Sequence, residues 1–113
     1  PEPEPALPYD SYFEKGGRFG PHNQHHYQYH PALRRSSEYL FVTYFNAGLR
    51  VYDISDPFAP TEAGYFVPEA PQRRSGSLPE TLVTQFEDVL VDDRGYAYCT
   101  DKNHGLFVLE PEL

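Results

Sequence analysis

The chain has 113 residues, of which 39% are hydrophobic and 16% aromatic, enough for one small core and hardly for two domains. Its net charge of -8 opposes general binding to nucleic-acid phosphates. No stretch approaches the roughly 18 apolar residues of a membrane helix. We therefore expect a soluble protein that neither binds nucleic acid nor inserts into a membrane. The single cysteine, Cys99, lies in an apolar run, which predicts a buried and unreactive thiol.

The first twenty residues are typical of an extended arm. Residues 1–5 alternate Pro with Glu, a pattern that favours a polyproline-type backbone and buries nothing by itself. Tyr9, Tyr12, Phe13 and Phe19 follow, and so many aromatic side chains are unusual in a solvated tail. We expect this arm to lie against a surface, either of its own chain or of a partner.

The next segment, residues 21–31, is rich in histidine. It holds four of the five histidines: His22, His25, His26 and His30. Neutral imidazole is a common ligand for zinc, copper and iron, so the cluster predicts a transition-metal site. Glu87 and Asp88 are candidates to hydrogen-bond to those ligands. The competing interpretation is a polar loop whose histidines bond to backbone or water.

The backbone conformation of this segment limits the metal interpretation. Its residues are poor helix formers, although His22, His26 and His30 have helical spacing. In an extended segment, His26 and His30 share one face and His25 lies on the other. One strand therefore cannot bring all four histidines to one metal.

From residue 38 onwards the pattern predicts strands and turns. The first strand is apolar on both faces, which predicts a sheet that is covered on both sides. Turns are predicted at Asn46-Ala47-Gly48, at residues 92–95 and at residues 102–105. The predicted strands are 39–45, 49–54, 62–67, 85–91, 96–100 and 106–109.

The pattern repeats after 57 residues, the separation of Gly48 and Gly105. This offset exceeds the roughly 40–50 residues of a common propeller blade. A loop at residues 68–79, rich in Pro, Arg, Ser and Gly, accounts for the excess. The alternative is two unrelated hairpins that share a glycine turn. The aligned pairs are Tyr39 with Tyr96, Thr43 with Thr100, Asn46 with Asn103, Leu49 with Leu106 and Val51 with Val108.

Residues 48–60, Gly-Leu-Arg-Val-Tyr-Asp-Ile-Ser-Asp-Pro-Phe-Ala-Pro, resemble the LVIVD-repeat family of β-propellers. The repeat of that family runs Gly-Leu, a β-branched strand, Asp, and then Asp-Pro-x-x-Pro. Residues 86–98 are similar to the opening of a blade in the family, with Glu87 where His is usual.

The resemblance implies an all-β fold built from antiparallel four-stranded blades of a partial β-propeller. We expect the propeller part to span residues 21–113, with blade-like repeats at about 38–67 and 84–110, after an extended N-terminal arm at 1–20. Propellers have about 4–8 blades, and this chain supplies about two. It would then be the C-terminal part of a larger propeller, complete one with another protein chain, or form a homo-oligomer.

Two functions follow as expectations. The first is an interaction module that assembles through open blade edges. The second is part of a metal-dependent, oxidoreductase-like propeller enzyme with zinc, copper or iron at the histidines. Certain propeller oxidases, of the methanethiol oxidase and selenium-binding type, use histidines and a metal near the central channel, and this analogy of fold supports the second expectation. The sequence identifies neither a substrate nor a catalytic residue.

Overall fold

The computed structural model describes residues 11–74, 77 and 80–113. Residues 1–10, the first half of the expected arm, and residues 75, 76, 78 and 79 of the expected loop lie outside this description. The described part contains a one-turn helix and seven strands. They are α1 (Tyr12–Lys15), β1 (Gln24–His25), β2 (Tyr39–Thr43), β3 (Leu49–Asp53), β4 (Thr61–Phe66), β5 (Phe86–Val91), β6 (Ala97–Asp101) and β7 (Gly105–Leu109).

The strands form two antiparallel sheets. Sheet 1 has the order β1-β2-β3-β4, and sheet 2 has the order β5-β6-β7. The predicted fold class, antiparallel all-β blades, is confirmed, and the six predicted strands begin and end within two residues of the observed ones. Sheet 2 has three strands among the described residues, so the outer edge of β7 has no neighbouring strand there.

The two hairpins that share the sequence repeat also share their cross-strand register. In sheet 1 Phe41 pairs with Val51, and in sheet 2 the aligned Tyr98 pairs with Val108. Gly48 and Gly105, in the corresponding turns, have φ values of +72° and +94°, a region that favours glycine. The two hairpins therefore share their strand pairing and backbone conformation, as well as a glycine in the turn.

The core lies between the two sheets. Because successive side chains of a strand point to opposite faces, each sheet contributes every second residue to this core. Sheet 1 supplies Phe41, Leu49 and Val51, each at most 4% exposed. The face of sheet 2 that covers them is apolar and is fully buried at its centre. Its residues are Val89, Val91, Ala97 and Cys99, with Phe107 and Leu109 at the margin.

The segment before β1 packs against its own chain. The Ser11 hydroxyl accepts a hydrogen bond from the Glu14 amide at 3.3 Å and caps α1. Tyr12 is buried, and its ring stacks on Phe19 with centroids 5.3 Å apart. The Lys15 ammonium donates to the Asn46 carbonyl at 2.7 Å. Helix α1 is thus held against the turn between β2 and β3.

Candidate functional site

His25 is a structural residue that joins the two sheets. Its side chain is fully buried, and its Nδ1 accepts a hydrogen bond from the Val91 amide of sheet 2 at 3.2 Å. Its Nε2 donates to the Arg34 carbonyl at 3.0 Å. Burial lowers the pKa of His25, which keeps the ring neutral. Because both ring nitrogens already have partners, His25 has none left for a metal.

The other three histidines of the segment have separate surroundings. His22 is exposed, and its Nδ1 donates to the Glu87 carbonyl at 2.7 Å. The exposed His30 accepts from the Ala32 amide through Nδ1 at 3.2 Å. The Nε2 of His26 is buried and has no hydrogen-bond partner in the described part of the chain.

The structure therefore gives the predicted metal site no support. Within residues 11–74, 77 and 80–113, no three His, Cys, Asp or Glu side chains are grouped so that they could hold a metal ion. Of the two acidic candidates, Glu87 lies near a histidine, with 3.8 Å between its carboxylate and His22 Nδ1, and it also pairs with Lys102 at 3.3 Å. Asp88 accepts from the Val89 amide instead.

A buried charged cluster around Arg50 was not predicted. Arg50 is 1% exposed, donates to the Ala47 carbonyl at 3.0 Å and pairs with Glu62 at 3.2 Å. It also donates to the Tyr12 hydroxyl, and its guanidinium lies 4.7 Å from the centroid of the Tyr65 ring. Every partner is a group of the same chain, so the cluster anchors α1 to sheet 1. Its neighbours Leu49 and Val51 point to the opposite face of β3, so they did not indicate its burial.

The face of sheet 2 that points away from the core forms an apolar strip, which we name the outer face of sheet 2. It consists of Leu90, Tyr98, Leu106 and Val108. Leu90 pairs with Tyr98 across β5 and β6, and Tyr98 pairs with Val108 across β6 and β7. The three aliphatic side chains are 46%, 62% and 55% exposed in chain order. This strip is the clearest candidate for a binding surface.

Sheet 1 carries an apolar groove on its own far side, which we name the outer face of sheet 1. The groove encloses about 380 Å³. Val42 and Tyr52 form its buried floor, while Leu40 and Ile54 are half-buried. Its lining residues are Pro21, Gln24, Leu40, Val42, Tyr44, Tyr52, Ile54, Pro57 and Pro60.

Two stacked antiparallel sheets with one repeated register define a propeller-like module of blade repeats. Residues 35–67, which contain β2, β3 and β4, match the family model of the LVIVD repeat, and the predicted resemblance is confirmed there. No curated protein and no solved structure matches the chain. No helix in the described ranges is long and apolar enough to cross a membrane.

Proposed function

We propose that this chain is an interaction module that completes a larger stack of β-sheets together with another protein chain or its own copies. The proposal is based on the outer face of sheet 2. Folded monomers rarely leave a contiguous apolar strip on a regular sheet open to water. Leu90, Leu106 and Val108 form such a strip, with about half of each side chain exposed.

The repeat supports a docking role for this strip. Leu49 and Val51 of sheet 1 are 2% and 4% exposed because sheet 2 covers them. Their aligned residues, Leu106 and Val108, have the same chemistry and face the corresponding way, yet they are open to water. A further sheet packed on sheet 2 would bury them as sheet 2 buries their counterparts, and burial of each such side chain would favour association by about 1–2 kcal/mol.

The proposal is tested with Val108→Glu, which places a charge at the centre of the strip. The matched control is Phe58→Glu, which removes a side chain that is 96% exposed in a loop. We expect the wild type to bind the dye ANS or to elute above the chain mass of 13.0 kDa. Val108→Glu should lose either property, and Phe58→Glu should keep it.

Circular dichroism must first show that both variants keep the β-sheet spectrum. A wild type that stays at the chain mass at all concentrations and binds no dye would contradict the proposal. Equal behaviour of the two variants would contradict it as well.

A further inference from the structure

The outer face of sheet 1 is equivalent to the face of sheet 2 that is buried in the core. With the 57-residue offset, Leu40 corresponds to Ala97 and Val42 to Cys99. The cross-strand pairs agree, because Leu40 faces Tyr52 in sheet 1 as Ala97 faces Leu109 in sheet 2. Ala97 and Cys99 are fully buried against sheet 1.

The outer face of sheet 2 is open to water, and the outer face of sheet 1 is open at its groove, where Leu40 and Ile54 are half-buried above the buried Val42 and Tyr52. We infer that the occupant of the outer face of sheet 2 is a second copy of this chain, which contributes the outer face of its sheet 1. The inference rests on the proposed function and names its partner. The contact is head-to-tail, since two different surfaces of the same chain meet.

The segment before β1 covers one side of this face, where the Tyr12 hydroxyl accepts a hydrogen bond from Arg50, and leaves the groove beside it open. Asn46 donates to the carbonyls of Tyr12 and Gly16, which precede β1. The aligned Asn103 donates to the carbonyl of Val83, which precedes β5. The two preceding segments therefore hold corresponding places beside their sheets, and sheet 2 packs on sheet 1 with its own segment in place.

One position on this face departs from the repeat. Arg50 stands where sheet 2 has Phe107, and its charge is taken up within the chain by Glu62 and Tyr12. The groove beside it is lined mainly by apolar and proline side chains. The second copy would therefore meet an apolar surface. With two sheets in each chain, a closed ring of about 4–8 sheets would take about two to four copies.

The test uses two variants that each block one half of the interface. Val108→Glu blocks the outer face of sheet 2, and Leu40→Glu blocks the groove on sheet 1. Each variant alone should have the chain mass of 13.0 kDa by light scattering. Mixed in equal amounts, they keep one intact half each and should form a complex of twice that mass. If Leu40→Glu does not fold, Ile54→Glu at the other end of the groove replaces it.

The outcomes separate this inference from the proposed function. If Leu40→Glu alone still associates through Val108, the outer face of sheet 2 pairs with itself and the head-to-tail inference is wrong. If the wild type is monomeric but binds ANS in a way that Val108→Glu abolishes, the docking face stands and a different protein chain is its occupant. A mixture that shows no doubled mass likewise overturns the inference.

Discussion

Asn46 and Asn103 play the same part in the two sheets. The Asn46 side-chain amide donates to the carbonyls of Tyr12 at 2.7 Å and of Gly16 at 2.8 Å. The Asn103 amide donates to the carbonyl of Val83 at 3.0 Å. Asn46 is buried in the turn between β2 and β3, and Asn103 is buried in the turn between β6 and β7. Each side chain connects the segment that precedes its sheet to that sheet. Helix α1 is therefore held to sheet 1 by the asparagine that corresponds to the one holding Val83 to sheet 2.

This contact predicts that Asn46→Ala destabilises the protein. The change leaves one buried and one partly buried carbonyl without this donor, which should lower the free energy of unfolding by about 1–3 kcal/mol. Asn23→Ala, at an exposed position, is the control and should change it by less than about 0.5 kcal/mol. Urea unfolding measures both, and equal effects of the two changes would show that the Asn46 contacts contribute nothing.

Substitution by alanine should destabilise the protein more at Gly48 than at Gly105. A Cβ at Gly48 would lie 2.1 Å from the Phe66 carbonyl oxygen of β4, whereas a Cβ at Gly105 would have no atom of the described chain within 4 Å. Both positions have positive φ, so alanine costs about 1 kcal/mol at either one. Gly48→Ala should destabilise the protein by clearly more than this, because the end of β4 must also move away. Urea midpoints that shift equally would refute the steric argument.

The buried imidazole of His25 predicts that stability falls in mild acid. Burial lowers its pKa in the folded chain below the value of about 6.5 expected when unfolded, and it outweighs the hydrogen bond to the Arg34 carbonyl, which raises the pKa. The unfolded chain therefore binds more protons below that pH. The free energy of unfolding should be highest above about pH 6.5 and decrease as the pH falls towards the lowered pKa.

The measurement is urea unfolding between about pH 8 and about pH 5. His25→Gln should flatten the decrease, and His30→Gln, at an exposed position, should leave it unchanged. A wild type and a His25→Gln variant with parallel pH profiles would exclude His25 as the cause.

Cys99 should resist thiol reagents while the protein is folded. It is fully buried, and desolvation raises the pKa of its thiol to about 12, so the reactive thiolate is scarce near neutral pH. We expect Ellman's reagent to modify Cys99 only after urea is added. Phe58→Cys, which adds a thiol in a loop at a position that is 96% exposed, should gain one rapidly reacting group. Rapid reaction of the native wild type would mean that the core opens readily.

Most of the sheets could be predicted from the sequence because their signals are local. The residues of β2 and β3 are rich in β-formers, and Gly48 marks the turn between them. The match between Gly48 and Gly105 predicted the second hairpin with its register. The family resemblance then supplied the stacking of the sheets, which neither hairpin alone specifies.

The remaining features depend on distant contacts. Strand β1 has two residues with little β preference, and it forms because His25 pairs with Phe41 and bonds to Val91. The burial of Arg50 depends on Tyr12, 38 residues away. Helix α1 did carry a local signal, since Ser11 and Glu14 have the spacing of a capping box, but it was not predicted.

The head-to-tail contact between copies also affects whether the assembly has a defined size. In an open array, an interface between unlike surfaces leaves one surface of each kind exposed at the two ends, so adding copies does not by itself terminate the array. The rotation from one sheet to the next decides whether the array closes into a ring or continues as a helical filament. A mutation that only tilts sheet 2 on sheet 1, for example at Phe41 or Val89 in the core, would therefore change the size of the assembly without touching its contact surface.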